Sequence, residues 1–233
     1  MKFVISPSKT MVKTTKEALS APLLKDKQLS LLRALKDMEQ DELKVLFGVS
    51  DSIAKTNYER FKHFHEAYPA LFTYTGQQYK HKHLETLTAD DLAYLQKTLY
   101  IMSGLYGLLR PFDKIGHYRM PMGVKWQGAP LKEYWKQPIS EQLEGETVIN
   151  LASKEYSDAI DRTRVSVIDV DFMVNKNGKR KRAGAMEAKK HRGNMVHFIA
   201  KHKPTTIETL KNYSFEGMTF YSFNGQVMVF EQQ

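Results

Sequence analysis

RVSVIDVDFMVNKNGK, residues 164–179, decides the class of fold. Ile168, Val170, Phe172 and Val174 alternate with Asp169, Asp171 and Met173, the period of a strand with one face against a core. The run ends at Asn177-Gly178, a pair suited to a tight hairpin turn, so a partner strand is expected through about 179–187. After it the pattern changes to a helix over about 188–202, stopped by Pro204. Strand, hairpin and helix in 40 residues exclude an all-helical chain.

Outward from this stretch the same alternation of elements continues. KFVI (2–5), LYIM (99–102) and TVINL (147–151) read as short apolar strands, and FYSFNGQVMVF (220–230) as a second Asn-Gly hairpin. Helical spacing runs near 28–37, 41–47, 51–66 and 89–98, the last capped by Thr88, and again from Leu131 to Leu143. The expected fold is α/β (mixed α+β): a mixed central sheet with flanking helices, one domain over 1–233, and a mostly helical insertion over 28–98.

The chain has 233 residues, 42% of them apolar, enough for a sizeable core. It contains no cysteine, which removes disulfides, thiolate catalysis and Cys-ligated metal centres. No apolar run is long enough to span a bilayer and the start lacks the sections of a signal peptide, so a cytoplasmic protein with no membrane partner is expected. The formal charge is +9, and residues 176–203 alone hold ten Lys and Arg against Glu187. That segment carries the whole surplus, and a polyanion is the natural partner for it.

Four groups of residues bear on chemistry. In the helix expected from about Ala188, Lys189, Lys190 and Arg192 fall in the first turn, where the backbone dipole is already positive; cations and free N–H groups there suit an anion. Lys190, Asn194, His197 and Lys201 recur at helical spacing as one polar stripe, for which a solvated face is the alternative. LKVLFGVSDSIA (43–54) fits a helix-hairpin-helix pattern, here 43–64, with Gly48 at the turn and Ser50 in place of a second glycine; an ordinary helix–turn–helix packing unit is the alternative. SPSKT (6–10) and NLASKEY (150–156) each follow a strand, and they line one polar cleft if those strands are parallel neighbours, with capping by Ser153 as the other reading. Lys9 and Glu155 are the candidates for any catalysis there. The fourth group is the histidines. His63 and His65 cannot chelate together on a helix, and His81 with His83 lacks a carboxylate pattern, so neither a metal nor a cofactor is expected.

SGLYGLLRPFDKIGHYRMPMG (103–123) is too polar for a core strand and too rich in Gly and Pro for a helix, which suggests a surface loop. Taken together, SPSKT, this loop with its YRMPMG end, NLASKEY and the AKKHRG turn at 188–193 resemble the bacterial peroxide stress resistance YaaA family along the full chain. His191 departs from that last motif, where small residues are common. The resemblance implies a cytoplasmic protein of the oxidative stress response. It would bind duplex or distorted DNA through a basic cleft and a helix-hairpin-helix, protect it from oxidation, and be linked to lower free iron. It supplies no established reaction.

In this reading the loop is a phosphate clamp. Arg110 and Arg119, with His117, act beside Lys9, Lys189, Lys190 and Arg192, and the turn at Gly48 and Ser50 grips the duplex farther out. Tyr106 or Tyr118 would stack on an unpaired base, or pack. The alternative function is an enzyme on damaged nucleic acid, of glycosylase or lyase type. Oligomeric state is not legible in the sequence.

Overall fold

The computed structural model describes residues 1–176 and 178–232. Asn177, half of the first hairpin signal, lies outside them. A nine-stranded mixed sheet organises the chain: β1 (Lys2–Ile5), β2 (Leu99–Ser103), β3 (Gly107–Leu109), β4 (Thr147–Leu151), β5 (Ser166–Lys176), β6 (Lys179–Arg182), β7 (Ser214–Phe215), β8 (Met218–Phe223) and β9 (Val227–Gln232). Their order is β7-β8-β9-β5-β4-β1-β2-β3, with β6 also on β5. The middle five, β9-β5-β4-β1-β2, run parallel, and the pairs toward both edges are antiparallel. Strands buried on both faces read as continuous apolar runs, which is why FVI and TVINL carry no alternation. The longer β5 buries Ile168, Val170, Phe172 and Val174 on one face, as its alternation requires.

Six helices have eight residues or more among the described residues: α1 (Lys25–Asp37), α2 (Gln40–Phe47), α3 (Asp51–Lys62), α4 (Ala89–Thr98), α5 (Leu131–Leu143) and α6 (Ala185–His202). Thr88 caps α4 as its sequence indicates, accepting from Asp91 N while Asp91 Oδ2 accepts from Thr88 N. The first four helices fill the connection from β1 to β2. Because β4 then pairs on the opposite edge of β1, strand order reverses between β1 and β4, and a crevice opens at their carboxyl ends.

Three sequence expectations are corrected. The partner strand ends at Arg182, not near 187, and α6 begins at Ala185 because Gly184 takes the N-cap position and Ala188 N already donates to Gly184 O. Lys189 thus enters in the second turn, behind Glu187, and the clash with the helix dipole disappears. The loop 103–123 is not a surface connector. Residues 107–109 form β3, and Leu105, Tyr106, Leu108, Leu109, Ile115, Tyr118, Met120 and Met122 are core residues. Its backbone polarity is absorbed internally: Ser103 Oγ accepts from Tyr106 N, Tyr106 Oη from Gly116 N, and Gly104 O from Trp135 Nε1. A Cβ on Gly104 would stand 2.1 Å from Met120 O, so only glycine lets the loop close on itself.

Candidate functional site

The crevice between β1 and β4 holds a cleft of about 340 Å³ lined by residues of four segments: Ser6 to Lys9 after β1, Thr75 to Tyr79, Ser153 with Glu155 and Tyr156 after β4, and Lys189 with Arg192 on α6. The two strand ends are stitched directly. Ser153 N donates to Ser6 Oγ at 2.9 Å, and Tyr79 Oη donates to Ser6 O at 3.0 Å. Ser153 sits at the N-cap of the short helix Lys154–Ser157, yet its side chain bonds Ser6 and caps nothing. Across the cleft, Thr10 Oγ1 links Ser8 and Thr75 at 3.1 and 2.9 Å, and Gly76 turns with φ +106°.

Backbone contact brings α6 over this cleft. A Cβ on Gly193 would meet Gln78 O at 2.3 Å and His81 Cβ at 2.8 Å, so the helix lies directly on the turn at 78–81. Lys189 and Arg192, one turn apart on α6, then face the ends of β1 and β4. A second depression shares Pro7 to Lys9 and Tyr156 with the cleft and adds Arg119 and Pro121; a third, more apolar, runs from Pro121 to Gly48. On the far side, Arg192 also lines a depression with Asp169, Asp171 and Arg182. Through the lining residues they share, Arg192, Pro7 to Lys9 and Pro121, these depressions adjoin as a groove.

Electrostatics separate free from committed cations. Of the ten in residues 176–203, six are in ion pairs: Lys176 with Glu187, Arg180 with Glu231, Arg182 with Asp171, Lys190 with Glu216, Lys201 with Asp91, and Lys203 with Asp90 and Asp91. The polar stripe on α6 is therefore an interface, since His197 Nδ1 also meets Lys82 O at 3.0 Å. Lys9, Arg119, Lys189 and Arg192, all on the groove, have no carboxylate within 4 Å among the described residues, and the Nε atoms of Arg119 and Arg192 lack any hydrogen-bond partner. Burial pulls the half-buried Arg192 guanidinium down from its ordinary value.

Arg110 and the Gly48 turn stand apart from the cleft. Arg110 holds the buried Asp113 through Nε and Nη2 at 3.0 and 2.9 Å and donates to Ala21 O, a structural commitment. Gly48, with φ +57°, closes α2, its N–H directed at Val45 O and that of Val49 at Lys44 O. Ser50 is extended, so no second positive φ is needed there. Tyr106 and Tyr118 are core residues; burial pushes the Tyr118 hydroxyl up to about 12, between Ser103 and Tyr74. Lys9 and Glu155 share the cleft, Glu155 Oε1 accepting from Gly123 N at 3.3 Å. His81 and His83 meet edge to face, and no group of three His, Asp or Glu suited to a metal occurs among the described residues.

A family model described as peroxide stress protein YaaA matches residues 1–224. The chain belongs to that family. Relatives of the chain include a UPF0246 protein of Francisella philomiragia, 35% identical over 96% of this chain and 95% of its own, and one of Rickettsia conorii, 36% identical over 93% of each. A third, from Legionella pneumophila, is 33% identical over 96% and 94%. SPSKT, NLASKEY, the Arg119 end of the loop and the AKKHRG turn, on which the sequence resemblance rests, all line the crevice or the depression beside it, while Arg110 serves the buried part of the loop.

Thr75, Gly76, Gln77, Gln78 and Tyr79 escape sequence reasoning. They lie in the connection from β1 to β2, in a stretch with neither strand nor helix periodicity, and only the folding of that connection back over β1 brings them to the site. The glycine between two polar residues is the one signal that marks them.

Proposed function

We propose that the protein binds DNA through its phosphate backbone, without reading base sequence, along the groove from Arg192 through Lys9 and Arg119 toward Gly48. The observation that carries this reading is the set of four unpaired cations on this groove, in a chain whose other basic residues in 176–203 are mostly neutralised. Counter-ions released by four such contacts favour a polyanion over a single small anion. Shielding DNA from peroxide-derived oxidants is the role that fits the family. The setting is the cytoplasm; no helix among the described residues is long and apolar enough to cross a membrane. Lower free iron in stressed cells belongs to the same proposal as a cellular readout.

The turn at Gly48 and Ser50 is the outer contact of this proposal, acting as a helix-hairpin-helix would. A second reading, chemistry on damaged nucleic acid, draws on Lys9 and Glu155 in one cleft. The deciding experiment is titration of labelled duplexes of unrelated sequence with the purified protein. Binding of all of them with similar affinity, lost in the Lys9→Ala/Arg192→Ala variant, supports the proposal; absence of binding at low salt removes it. Cleavage at an oxidised base or abasic site would move the assignment to the enzyme reading.

A further inference from the structure

The cleft between β1 and β4 contains more than phosphate chemistry requires. Lys9, Lys189 and Arg192 supply cations, yet Gln77, Gln78 and Glu155 line the same space. A carboxylate beside a phosphate site weakens it. The same carboxylate accepts well from an amine on a base edge, and a glutamine amide pairs with an edge that offers both a donor and an acceptor. Gln78, in the cleft wall, is only 6% exposed, and its buried Nε2 has no hydrogen-bond partner among the described residues. The size of the cleft agrees: about 340 Å³ is at the small end of ligand pockets, room for one nucleotide and not for a stacked duplex.

Tyr79 offers no platform for stacking. Tyr79 lines the cleft, but the Lys82 amine stands over its ring at 3.0 Å from the centroid and Tyr74 tilts against it at 5.5 Å. Hydrogen bonds from Glu155 and the glutamine amides to a base edge would depend on which base is present.

We infer that this cleft receives one unpaired nucleotide of bound DNA, its phosphate on Lys189, Arg192 and Lys9 and its exocyclic amine and neighbouring acceptor on Glu155 and Gln78. The inference rests on the DNA-binding proposal and adds a base preference to it: adenine, cytosine and guanine, which carry an exocyclic amine, are favoured over thymine at the unpaired position, while paired positions remain unread.

The test uses the full chain and duplexes with a single bulged nucleotide. Fluorescence anisotropy compares bulged dA, dC, dG and dT in one context, and a bulged 2-aminopurine reports capture directly by its emission. Bulged dA is expected to bind at least about fivefold tighter than bulged dT, the least that one good base-edge pair gives. Gln78→Met and, separately, Glu155→Gln are each expected to shrink that ratio toward one. Because Gln78 is buried, melting of its variant is checked first, and if it fails to fold the Glu155→Gln result decides. Equal binding of all bulges with unchanged 2-aminopurine emission overturns the inference and leaves backbone binding intact. No binding of any duplex overturns the underlying proposal instead.

Discussion

Replacing Lys190 and replacing Arg192, two residues apart on α6, should give different salt dependence. Each phosphate neutralised on a duplex contributes about 0.9 to the slope of log affinity against log salt. The four unpaired groove cations then predict a slope of about 3.6, which between about 50 and about 200 mM salt is roughly a 150-fold loss of affinity. Lys189→Ala/Arg192→Ala should flatten the slope by about 1.8. Lys190→Ala should hardly change it, since Glu216 already neutralises that ammonium and no counter-ion waits to be released. The assay is anisotropy of a labelled duplex over a salt series, with circular dichroism to confirm folding. If Lys190→Ala flattens the slope as much as Arg192→Ala does, the ion pair does not decide which cations meet DNA and the reasoning fails.

Other outcomes follow from packing. Gly193→Ala, which in an open helix would stabilise by about 1 kcal/mol, should instead destabilise by about 1–3 kcal/mol, because the added carbon meets Gln78 O; calorimetric melting reads the sign. Asp113→Ala should cost about 3–5 kcal/mol in urea unfolding by leaving Arg110 partly buried without its partner. Lys82 is fully buried with no hydrogen bond to Nζ, so Lys82→Met should stabilise by about 1–3 kcal/mol. Burial pulls that amine well below the ordinary lysine range, so the unfolded chain binds the extra proton; wild-type stability relative to Lys82→Met should fall as pH drops through the alkaline range and level off below the folded-state value. A difference independent of pH would show that the amine keeps its ordinary affinity for a proton in the folded chain, as it would if water reached it.

Much of the sheet was legible because its strands carry their own signature. The alternation in 166–174 and the apolar runs at 2–5 and 147–151 require only local patterning, and Thr88 announces α4 through a bond three residues long. The meeting of SPSKT with NLASKEY was legible only as a condition, since sequence does not say which strands are neighbours; the parallel register Ile5 to Leu151 fulfils it. Charge pairing was not legible. The surplus in 176–203 meets carboxylates at 90, 91, 171, 216 and 231, which the chain order hides. The loop 103–123 misled for a related reason: polar and glycine-rich segments are surface loops when their polarity faces water, and here it faces the loop's own backbone and Trp135.

β1, which begins at residue 2, lies inside the sheet: Phe3 pairs with Leu99 on one edge and Ile149 on the other. Both partners are far away in sequence, and contacts of that separation make folding slow. During synthesis this strand is made long before either neighbour, and its β4 edge waits unpaired through the making of four helices, β2, β3 and α5. Until β4 emerges there is no crevice, no cleft and no groove. A chain ending between Arg119 and Leu151 would carry both groove cations outside α6, Lys9 and Arg119, and have nowhere to put them.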